Sequence, residues 1–355
     1  MIALTVFGLL ILAAIVASTF SKEAELTGLL GQVAKAPTGM VNQMKDVNDS
    51  GLPVLAQAMP EFQGITKWWN TADGKALTTA DLKGKVVLID FWTYSCINCV
   101  RTFPFIKAMH ERYADKGLVI VGVHTPEFAF EADPKNVERE IASNGFKHVV
   151  ALDPKYTTWN AYGNRYWPAG YFFDRQGRLR HTHFGEGAYD ENEEVIRKLL
   201  EESGEDLADM GPAVASTDPR SIGTHETYFG SARSDAFSSA APKDNVETSF
   251  TLINPKADEW SAGGRWVFQT EYAQANSIDA QFRFNVQAKK LHIVMESADG
   301  KDKMIEIFVD GKKTGEMKIN ESDIYTIAEF PDGGRHLVEI KMKEGGVRLY
   351  AATFS

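Results

Sequence analysis

Short apolar runs alternate with amphipathic segments through the middle of the chain. Val86–Trp92 and Leu118–His124 are nearly continuous apolar runs, which are typical of parallel strands buried on both faces. The other predicted strands are 149–152, 169–174 and 179–184, and the predicted helices are 99–113, 134–144, 156–162 and 191–202. Strands that alternate with helices predict an α/β fold.

The pattern changes to a period of two from about residue 223. Phe282, Phe284 and Val286 alternate with polar residues, and the segments 291–295 and 305–309 do the same. Glycine-containing turns separate these segments. Short alternating strands at this spacing predict an all-β sandwich or jelly roll.

The first 21 residues carry no charged side chain. About 20 helical residues span roughly 30 Å, the thickness of a bilayer core. We therefore expect residues 1–21 to be a membrane anchor, and the alternatives are a cleaved signal peptide or the last span of a larger membrane protein. Each of these places the rest of the chain in the periplasm or otherwise outside the cytoplasm.

Composition divides the rest of the chain into a tether at 22–58, an α/β domain at 59–203, a linker at 204–222 and a β-sandwich domain at 223–355. The formal net charge is −10, whereas a nucleic-acid-binding protein needs a basic face to displace counterions. We therefore expect no nucleic acid among its partners.

Cys96 and Cys99 are the only cysteines, and they lie where a predicted strand gives way to a predicted helix. A cysteine at a helix N-terminus faces unpaired backbone N–H groups and the positive end of the helix dipole, which favour the thiolate. Cys99 follows within disulfide reach. We therefore predict a redox-active Cys96–Cys99 disulfide in which Cys96 attacks the substrate and Cys99 resolves the mixed disulfide.

Other uses of this cysteine pair fit the sequence less well. A zinc site needs about four ligands, and the nearest further candidates are His181 and His183. A purely structural disulfide that closes so short a loop adds little stability. The prediction includes no metal and no cofactor.

Acidic and aromatic residues extend the predicted site. Asp90 interrupts an apolar strand, which indicates a proton acceptor for Cys99 or, alternatively, a solvated acid at the strand end. Glu127 follows the second buried strand and is either a second acid near the dithiol or a solvated loop residue. Trp92 and Tyr94 are expected to pack around the site.

The pair Trp167–Pro168 precedes the predicted strand 169–174, and the bond between these two residues can be cis. A cis proline beside a dithiol would expose a backbone edge on which a substrate chain can pair. Trp167 and Pro168 are therefore the predicted substrate-binding residues, and an ordinary turn proline is the alternative.

Together these motifs resemble the thioredoxin superfamily: Asp-Phe-Trp precedes Cys-x-x-Cys, and Pro104 follows the first cysteine by eight residues. The strings KGKVVLIDFWTYSCINCVRTFP, GLVIVGVHTPEFAFE, NRYWPAGYFFD and HFGEGAYDENE resemble the TlpA/DipZ-like branch, which is linked with cytochrome c biogenesis. The resemblance covers residues 59–203. It implies a thioredoxin-like fold with an extra segment around 125–144, a catalytic pair at Cys96 and Cys99, and a cis proline at Pro168.

DipZ-like proteins often carry a multi-span electron-conducting membrane domain, and this sequence contains at most one predicted span. The resemblance therefore implies a separate membrane electron donor. It also implies an enzyme that exchanges electrons with protein thiols and disulfides, such as those of apocytochrome c.

Two other functions stay open. Thr93 lies three residues before Cys96, as in thiol peroxidases of the peroxiredoxin type, although Ile89 stands where that pattern has proline. Alternatively, the domain at 223–355 binds a glycan or a protein partner and the thiols are secondary. Four aromatic residues are candidates to line such a surface, and burial in the core is the alternative for them: Trp260, Trp266, Tyr228 and Tyr272.

The expected direction of electron flow is reduction of the substrate. Ile97 and Asn98 between the cysteines carry no charge, and Asp90 and Glu127 add negative charge nearby. Arg101 is expected to point into solvent. Weak stabilisation of the thiolate makes the reduced form less stable, and the reduction potential is then more negative.

Overall fold

A computed structural model describes residues 51–211, 223–239 and 242–355. The predicted anchor at 1–21, most of the tether at 22–58 and part of the linker at 204–222 lie outside these ranges. Within the described ranges, no helix is long and apolar enough to cross a membrane. The anchor, the localisation and the domain boundaries remain predictions.

The first domain is built on a mixed six-stranded sheet with the order β1-β4-β3-β2-β5-β6. Its strands are β1 (Lys67–Trp69), β2 (Val86–Trp92), β3 (Leu118–His124), β4 (Val149–Leu152), β5 (Ala169–Phe173) and β6 (Leu179–Phe184). Strand β3 pairs in parallel with β2 and β4, and the remaining pairs are antiparallel. Strand β2 is central and buried along its whole length, which explains its apolar run.

The helices of this domain are α1 (Ile97–Tyr113), α2 (Pro134–Asn144), α3 (Thr157–Ala161) and α4 (Tyr189–Glu202). All four lie within two residues of the predicted bounds, and strands β2, β3, β4 and β6 match the prediction residue for residue. Strand β1 was not predicted, because a strand of three residues is too short to show a period.

The second domain consists of antiparallel strands in one eleven-stranded sheet. Its strands are β7 (Thr227–Tyr228), β8 (Thr248–Phe250), β9 (Trp260–Phe268), β10 (Ala273–Ala275), β11 (Gln281–Gln287), β12 (Lys290–Ser297), β13 (Lys303–Val309), β14 (Lys312–Ile319), β15 (Asp323–Glu329), β16 (Arg335–Met342) and β17 (Val347–Phe354). The main order is β14-β13-β16-β11-β9-β10-β17-β12-β15, with β7 on β17 and β8 on β9.

This sheet curls around a single apolar core. Ile305 on β13 and Leu291 on β12 lie near opposite ends of the strand order, yet both belong to the same buried cluster. The prediction of an all-β domain is confirmed, whereas the finer topology of a sandwich or jelly roll stays a prediction.

The aromatic residues that were candidates for a ligand surface divide into two pairs. Trp260 and Trp266 are fully buried in the core of the second domain, so they do not line a surface. Tyr228 and Tyr272 are partly buried and pack against Phe128 of the first domain or its neighbours. Residues 55–355 accordingly form one compact unit.

One edge of the first sheet is covered by the segment that precedes the domain. Leu55 N–H donates to the carbonyl of Leu179 at 2.7 Å, and Leu179 N–H donates to the carbonyl of Ala56 at 2.8 Å. Residues 55 and 56, which were predicted to be part of the tether, thus pair with the first residue of the edge strand β6.

Candidate active site

Cys96 lies at the N-cap of α1, directly after the loop that follows β2. Its carbonyl accepts the first hydrogen bond of the helix from Val100 N–H at 3.0 Å. Cys96 is partly exposed, whereas Cys99 is 1% exposed. Both are free thiols here, which corresponds to the reduced form, and the disulfide between them stays a prediction.

The two thiols differ in their environments. Burial raises the pKa of the Cys99 thiol well above its ordinary value, and its hydrogen bond with Cys96 adds to the shift. Cys96 instead lies partly exposed at the start of α1, where the N–H groups of the first turn have no partner within the helix. This difference supports attack by Cys96 and resolution by Cys99.

Asp90 lies in the middle of β2 and is buried. It is opposite Gly122 on β3 and Gly170 on β5, so neither neighbouring strand places a side chain beside it. Burial raises the pKa of Asp90 to about 7. The carboxyl group can therefore gain or lose a proton near neutral pH, as its predicted role in proton transfer requires.

A small cavity connects Asp90 with the predicted substrate-binding proline. Its volume is about 20 Å³, and its lining includes Asp90, Thr102, Pro168 and His183. A cavity of this size holds about one water molecule. Asp90 thus has room for a water molecule beside it despite its burial.

The Trp167–Pro168 peptide bond is cis. The indole N–H of Trp167 donates to the carbonyl of Thr125 at 3.0 Å, and its ring packs in the same cluster as Cys96 and Cys99. The structure therefore brings Trp167 to the dithiol and Pro168 to the cavity beside Asp90, and their role in binding substrate stays a prediction.

Trp92 and Tyr94 pack beside the dithiol, where the sequence analysis placed them, and both are 1% exposed. Each ring contacts His124 at the end of β3: Trp92 edge-on at 4.8 Å between ring centroids, and Tyr94 stacked at 5.6 Å. Burial lowers the pKa of His124 to about 3, so its ring is neutral. The hydroxyl oxygen of Thr93 lies 3.3 Å from His124 Nε2.

Glu131 is a site residue that the sequence analysis missed. It is fully buried, and one carboxylate oxygen accepts the backbone N–H of Ser95 at 3.2 Å and the Ser95 hydroxyl at 2.7 Å, directly before Cys96. The other oxygen accepts the N–H groups of Glu127 and Phe128 at 2.6 and 2.9 Å. Burial raises the pKa of Glu131 to about 7 despite these hydrogen bonds.

Glu127 is directed toward the second domain. Its carboxylate accepts the Tyr228 hydroxyl at 2.7 Å and forms an ion pair with Arg233 at 2.8 Å. The alternative of a solvated loop acid is therefore wrong, because the side chain is held in a contact between the domains. Glu131 lies in the short 3-10 helix Ala129–Ala132, and its carboxylate accepts the N–H of Glu127 just before that helix.

Arg101 does not point freely into solvent, and that expectation was wrong. Its guanidinium donates to both oxygens of Glu186, at 2.6 and 2.7 Å. It also donates to Asn98 Oδ1 at 2.7 Å and to the carbonyl of Phe354 in the second domain at 3.2 Å. The bidentate pairing with Glu186 offsets its positive charge near the dithiol.

A cleft of about 350 Å³ lies between the two domains beside the dithiol. Ile97 and Asn98, the residues between the cysteines, form one wall together with Arg101 and Glu186. The wall that the second domain contributes contains Thr224, His225, Glu226, Thr353 and Phe354.

Comparisons with known proteins agree with this division. Residues 55–200 match the Redoxin family, and residues 224–355 match the family described as a thioredoxin-like C-terminal domain. Protein DipZ of Mycobacterium tuberculosis is 40% identical over 240 residues, which are 66% of this chain but only 34% of DipZ. The chain thus spans about a third of that relative.

A second relative is covered almost completely. The thiol-disulfide oxidoreductase YkuV of Bacillus subtilis is 30% identical over 149 residues, which are 42% of this chain and 98% of YkuV. The solution structure of a thioredoxin-like protein in its oxidized form is 32% identical, with a TM-score of 0.38, and the match covers 41% of this chain and 97% of that protein. On the sequence match to YkuV together with the Redoxin match, this chain belongs to the thioredoxin superfamily, in the TlpA/DipZ-like branch of thiol–disulfide oxidoreductases.

Proposed function

We propose that the protein is an extracytoplasmic dithiol reductant of protein disulfides. The observation that carries the proposal is the difference between its two cysteines: Cys96 is accessible at a helix N-terminus, and Cys99 is buried with a raised pKa. The extracytoplasmic location rests on the apolar segment at 1–21.

The reaction has two steps. The Cys96 thiolate attacks one sulfur of the substrate disulfide, and the other sulfur leaves as a thiolate. The Cys99 thiol then gives its proton to Asp90 and attacks the Cys96 sulfur, which releases the second substrate thiolate. The substrate gains two electrons, the protein is left with the Cys96–Cys99 disulfide, and a membrane electron donor restores the dithiol.

The charges around the dithiol support a reducing potential. Arg101 is neutralised by Glu186. Asp90 is the acidic residue nearest to the cysteines along the chain, and Glu131 binds Ser95 directly before Cys96. Little positive charge is thus available to stabilise a thiolate. We expect a potential near the roughly −270 mV of thioredoxin, and far from the roughly −120 mV of strong periplasmic oxidants.

The cleft between the domains supports a polypeptide substrate. It begins at Ile97 and Asn98, so residues that flank a substrate cysteine would enter it when that cysteine meets Cys96. Its lining of hydroxyl, charged and aromatic groups suits an extended peptide with cysteines, such as apocytochrome c. A small disulfide would not fill it.

The potential and the substrate class are tested on the full chain. Equilibration with glutathione and quantification of alkylated thiols gives the potential, and a value above about −170 mV would overturn the reductant proposal. A reduction rate for a disulfide-bonded peptide no higher than that for hydroxyethyl disulfide would contradict a polypeptide substrate. Faster consumption of peroxide than of either disulfide would support the peroxiredoxin alternative.

The two cysteine roles have separate signatures. Cys96→Ser should abolish disulfide exchange, and Cys99→Ser should accumulate a mixed disulfide with the substrate, because the resolving thiol is gone. The variant that carries both substitutions is the matched control and should form no covalent species. Accumulation of the mixed disulfide in Cys96→Ser instead would reverse the assigned roles.

A further inference from the structure

The loop at residues 126–132 contacts the dithiol on one side and the second domain on the other. On the dithiol side, Glu131 accepts both the N–H and the hydroxyl of Ser95, the residue directly before Cys96. The loop ends in the short 3-10 helix Ala129–Ala132, which keeps Glu131 close to Glu127. Any displacement of this loop must therefore change the hydrogen bonds of Ser95.

On the other side, the second domain holds the loop through Glu127. The Tyr228 hydroxyl and the Arg233 guanidinium both donate to the same carboxylate oxygen, at 2.7 and 2.8 Å. The guanidinium carbon also lies 3.7 Å from the centre of the Tyr228 ring. Glu127 is thus fixed by two donors that stabilise each other.

Further contacts lie along the same loop. Ala129 N–H donates to Glu271 of the second domain at 3.0 Å. The rings of Phe128 and Phe130 pack against Tyr350, with centroid distances of 5.1 and 4.8 Å. The side chains of Val294 and Ala351 complete this apolar contact between the domains. The loop is therefore held by polar and apolar contacts together.

We propose that the second domain positions the dithiol: it holds loop 126–132 through Glu127 so that Glu131 keeps Ser95, and with it Cys96, aligned at the N-terminus of α1. Tyr228 and Arg233 are positioning residues, since they act through Glu127 and do not touch the cysteines. This role rests on the proposed function, because it concerns the reactivity of the same thiol. In this role the second domain contributes to the redox chemistry without binding a ligand itself.

The physical argument is one of alignment. The N–H groups at a helix N-terminus stabilise a thiolate placed close to them, and that stabilisation falls off steeply with distance and angle. If Tyr228 or Arg233 is removed, Glu127 is left beside the second domain with one partner fewer, and the loop becomes free to move. Ser95 then loses part of its attachment to Glu131, and Cys96 spends less time in the reactive geometry.

Asp90, Glu131 and Glu226 change charge between pH 5 and 9, because burial raises the pKa of each to about 7. Burial raises the pKa of Tyr94 far above its ordinary value and that of Tyr156 to about 12, and it lowers the pKa of His124 to about 3. Asp90 and Glu131, each with a pKa of about 7, remain in every variant. Glu226 also remains in every variant, although Tyr228 and Arg233 each hold its pKa down in part.

The test measures the rate at which iodoacetamide alkylates Cys96 in the reduced full-length protein between pH 5 and 9, with the modified residue identified by mass spectrometry. We expect Arg233→Ala and Tyr228→Phe to slow alkylation at pH 7 by about threefold or more and to move the midpoint of the pH profile upward. Arg233→Lys keeps a cation beside Glu127 and should restore most of the rate. Peptide-disulfide reduction should fall in the same order.

Arg265→Ala is the matched control, because Arg265 pairs with Glu247 wholly within the second domain. It should leave the profile unchanged. The proposal is overturned if folded Arg233→Ala and Tyr228→Phe proteins both keep the wild-type profile, or if Arg265→Ala shifts it equally. Should Arg233→Ala fail to fold, Tyr228→Phe decides alone, since it removes only one hydroxyl.

The alkylation profile does not require the protein to be a reductant. A wild-type protein without disulfide exchange would refute the proposed function, and its alkylation profile would still test the positioning role. Conversely, an active enzyme whose alkylation profile is unchanged by these substitutions would refute the positioning role alone.

Discussion

Two buried carboxyl groups lie near the dithiol, and they differ in what surrounds them. Asp90 on β2 has glycines on both neighbouring strands and a small cavity beside it. Glu131 is enclosed by donors from Ser95, Glu127 and Phe128. Both have a pKa raised by burial to about 7.

The same pKa therefore arises in two ways. Burial is the only cause that acts on Asp90, whereas the hydrogen bonds of Glu131 oppose the effect of its burial. A carboxyl group without fixed partners can exchange a proton with little rearrangement, while one with four donors holds backbone in place. The comparison teaches that a raised pKa alone does not separate a proton carrier from a structural acid.

The largest expected effect is the loss of stability when Glu131 is replaced. Glu131→Ala leaves the N–H groups of Ser95, Glu127 and Phe128 without their acceptor in a buried place. At about 1–3 kcal/mol for each of these three groups, we expect a loss of roughly 3–9 kcal/mol in the free energy of unfolding. Urea denaturation at pH 5 measures it.

Glu131→Gln serves as the matched variant for that measurement. Its amide keeps one oxygen for one pair of donors, so we expect it to recover at least half of the stability lost in Glu131→Ala. Equal stabilities of Glu131→Ala and the wild-type protein would show that Glu131 does not hold the loop.

The expected effect at Asp90 has the opposite sign. Its carboxyl group has a higher pKa in the folded than in the unfolded protein, so ionisation destabilises the fold as the pH rises from about 4 to about 7. Asp90→Asn removes that penalty and should raise the free energy of unfolding at pH 8 by up to about 4 kcal/mol. The gain should vanish near pH 4. A variant less stable than the wild type at pH 8 would contradict this.

Asp90 should also control the resolving step. Because only the carboxylate accepts a proton, decay of the mixed disulfide should accelerate as the pH rises through about 7 and then level off. Asp90→Asn should slow this decay about 100-fold at pH 7. Stopped-flow measurement of the mixed disulfide checks it, and the attack by Cys96, followed separately, is the control. An unchanged pH profile of decay would assign the proton to another group.

The smallest expected effect is that of removing the hydroxyl of Ser95, which lies between Glu131 and Cys96. Ser95→Ala removes the 2.7 Å hydrogen bond to Glu131 but keeps the backbone hydrogen bond. We expect a loss of about 1 kcal/mol in thermal or urea denaturation. A loss as large as that of Glu131→Ala would mean that the hydroxyl, and not the backbone, carries the contact.

The sequence was sufficient for features that depend on neighbours along the chain. Continuous apolar runs located β2 and β3 because both strands are buried on both sides. The strand-to-helix junction located Cys96, and a lone acid in an apolar strand located Asp90. Each of these signals lies within a few residues of the feature it predicts.

Features that depend on distant partners were not predictable in the same way. Ser95 and Glu131 are 36 positions apart, Arg101 and Glu186 are 85 apart, and Glu127 and Tyr228 are 101 apart. No periodicity links such pairs, because the path of the loops and the docking of the two domains bring them together. The surroundings of Arg101 were therefore misjudged, the contact of Glu127 with the second domain was not predicted, and Glu131 was missed.

The pairing of Leu55 and Ala56 with β6 also affects how copies of the protein behave toward one another. The outer strand of a sheet presents unpaired N–H and C=O groups, to which a strand from a second molecule can add. The two hydrogen bonds at Leu179 occupy the first of these groups with the chain's own backbone. We therefore expect versions of the protein shortened past residue 56 to expose these groups of Leu179 and to self-associate more readily at high concentration.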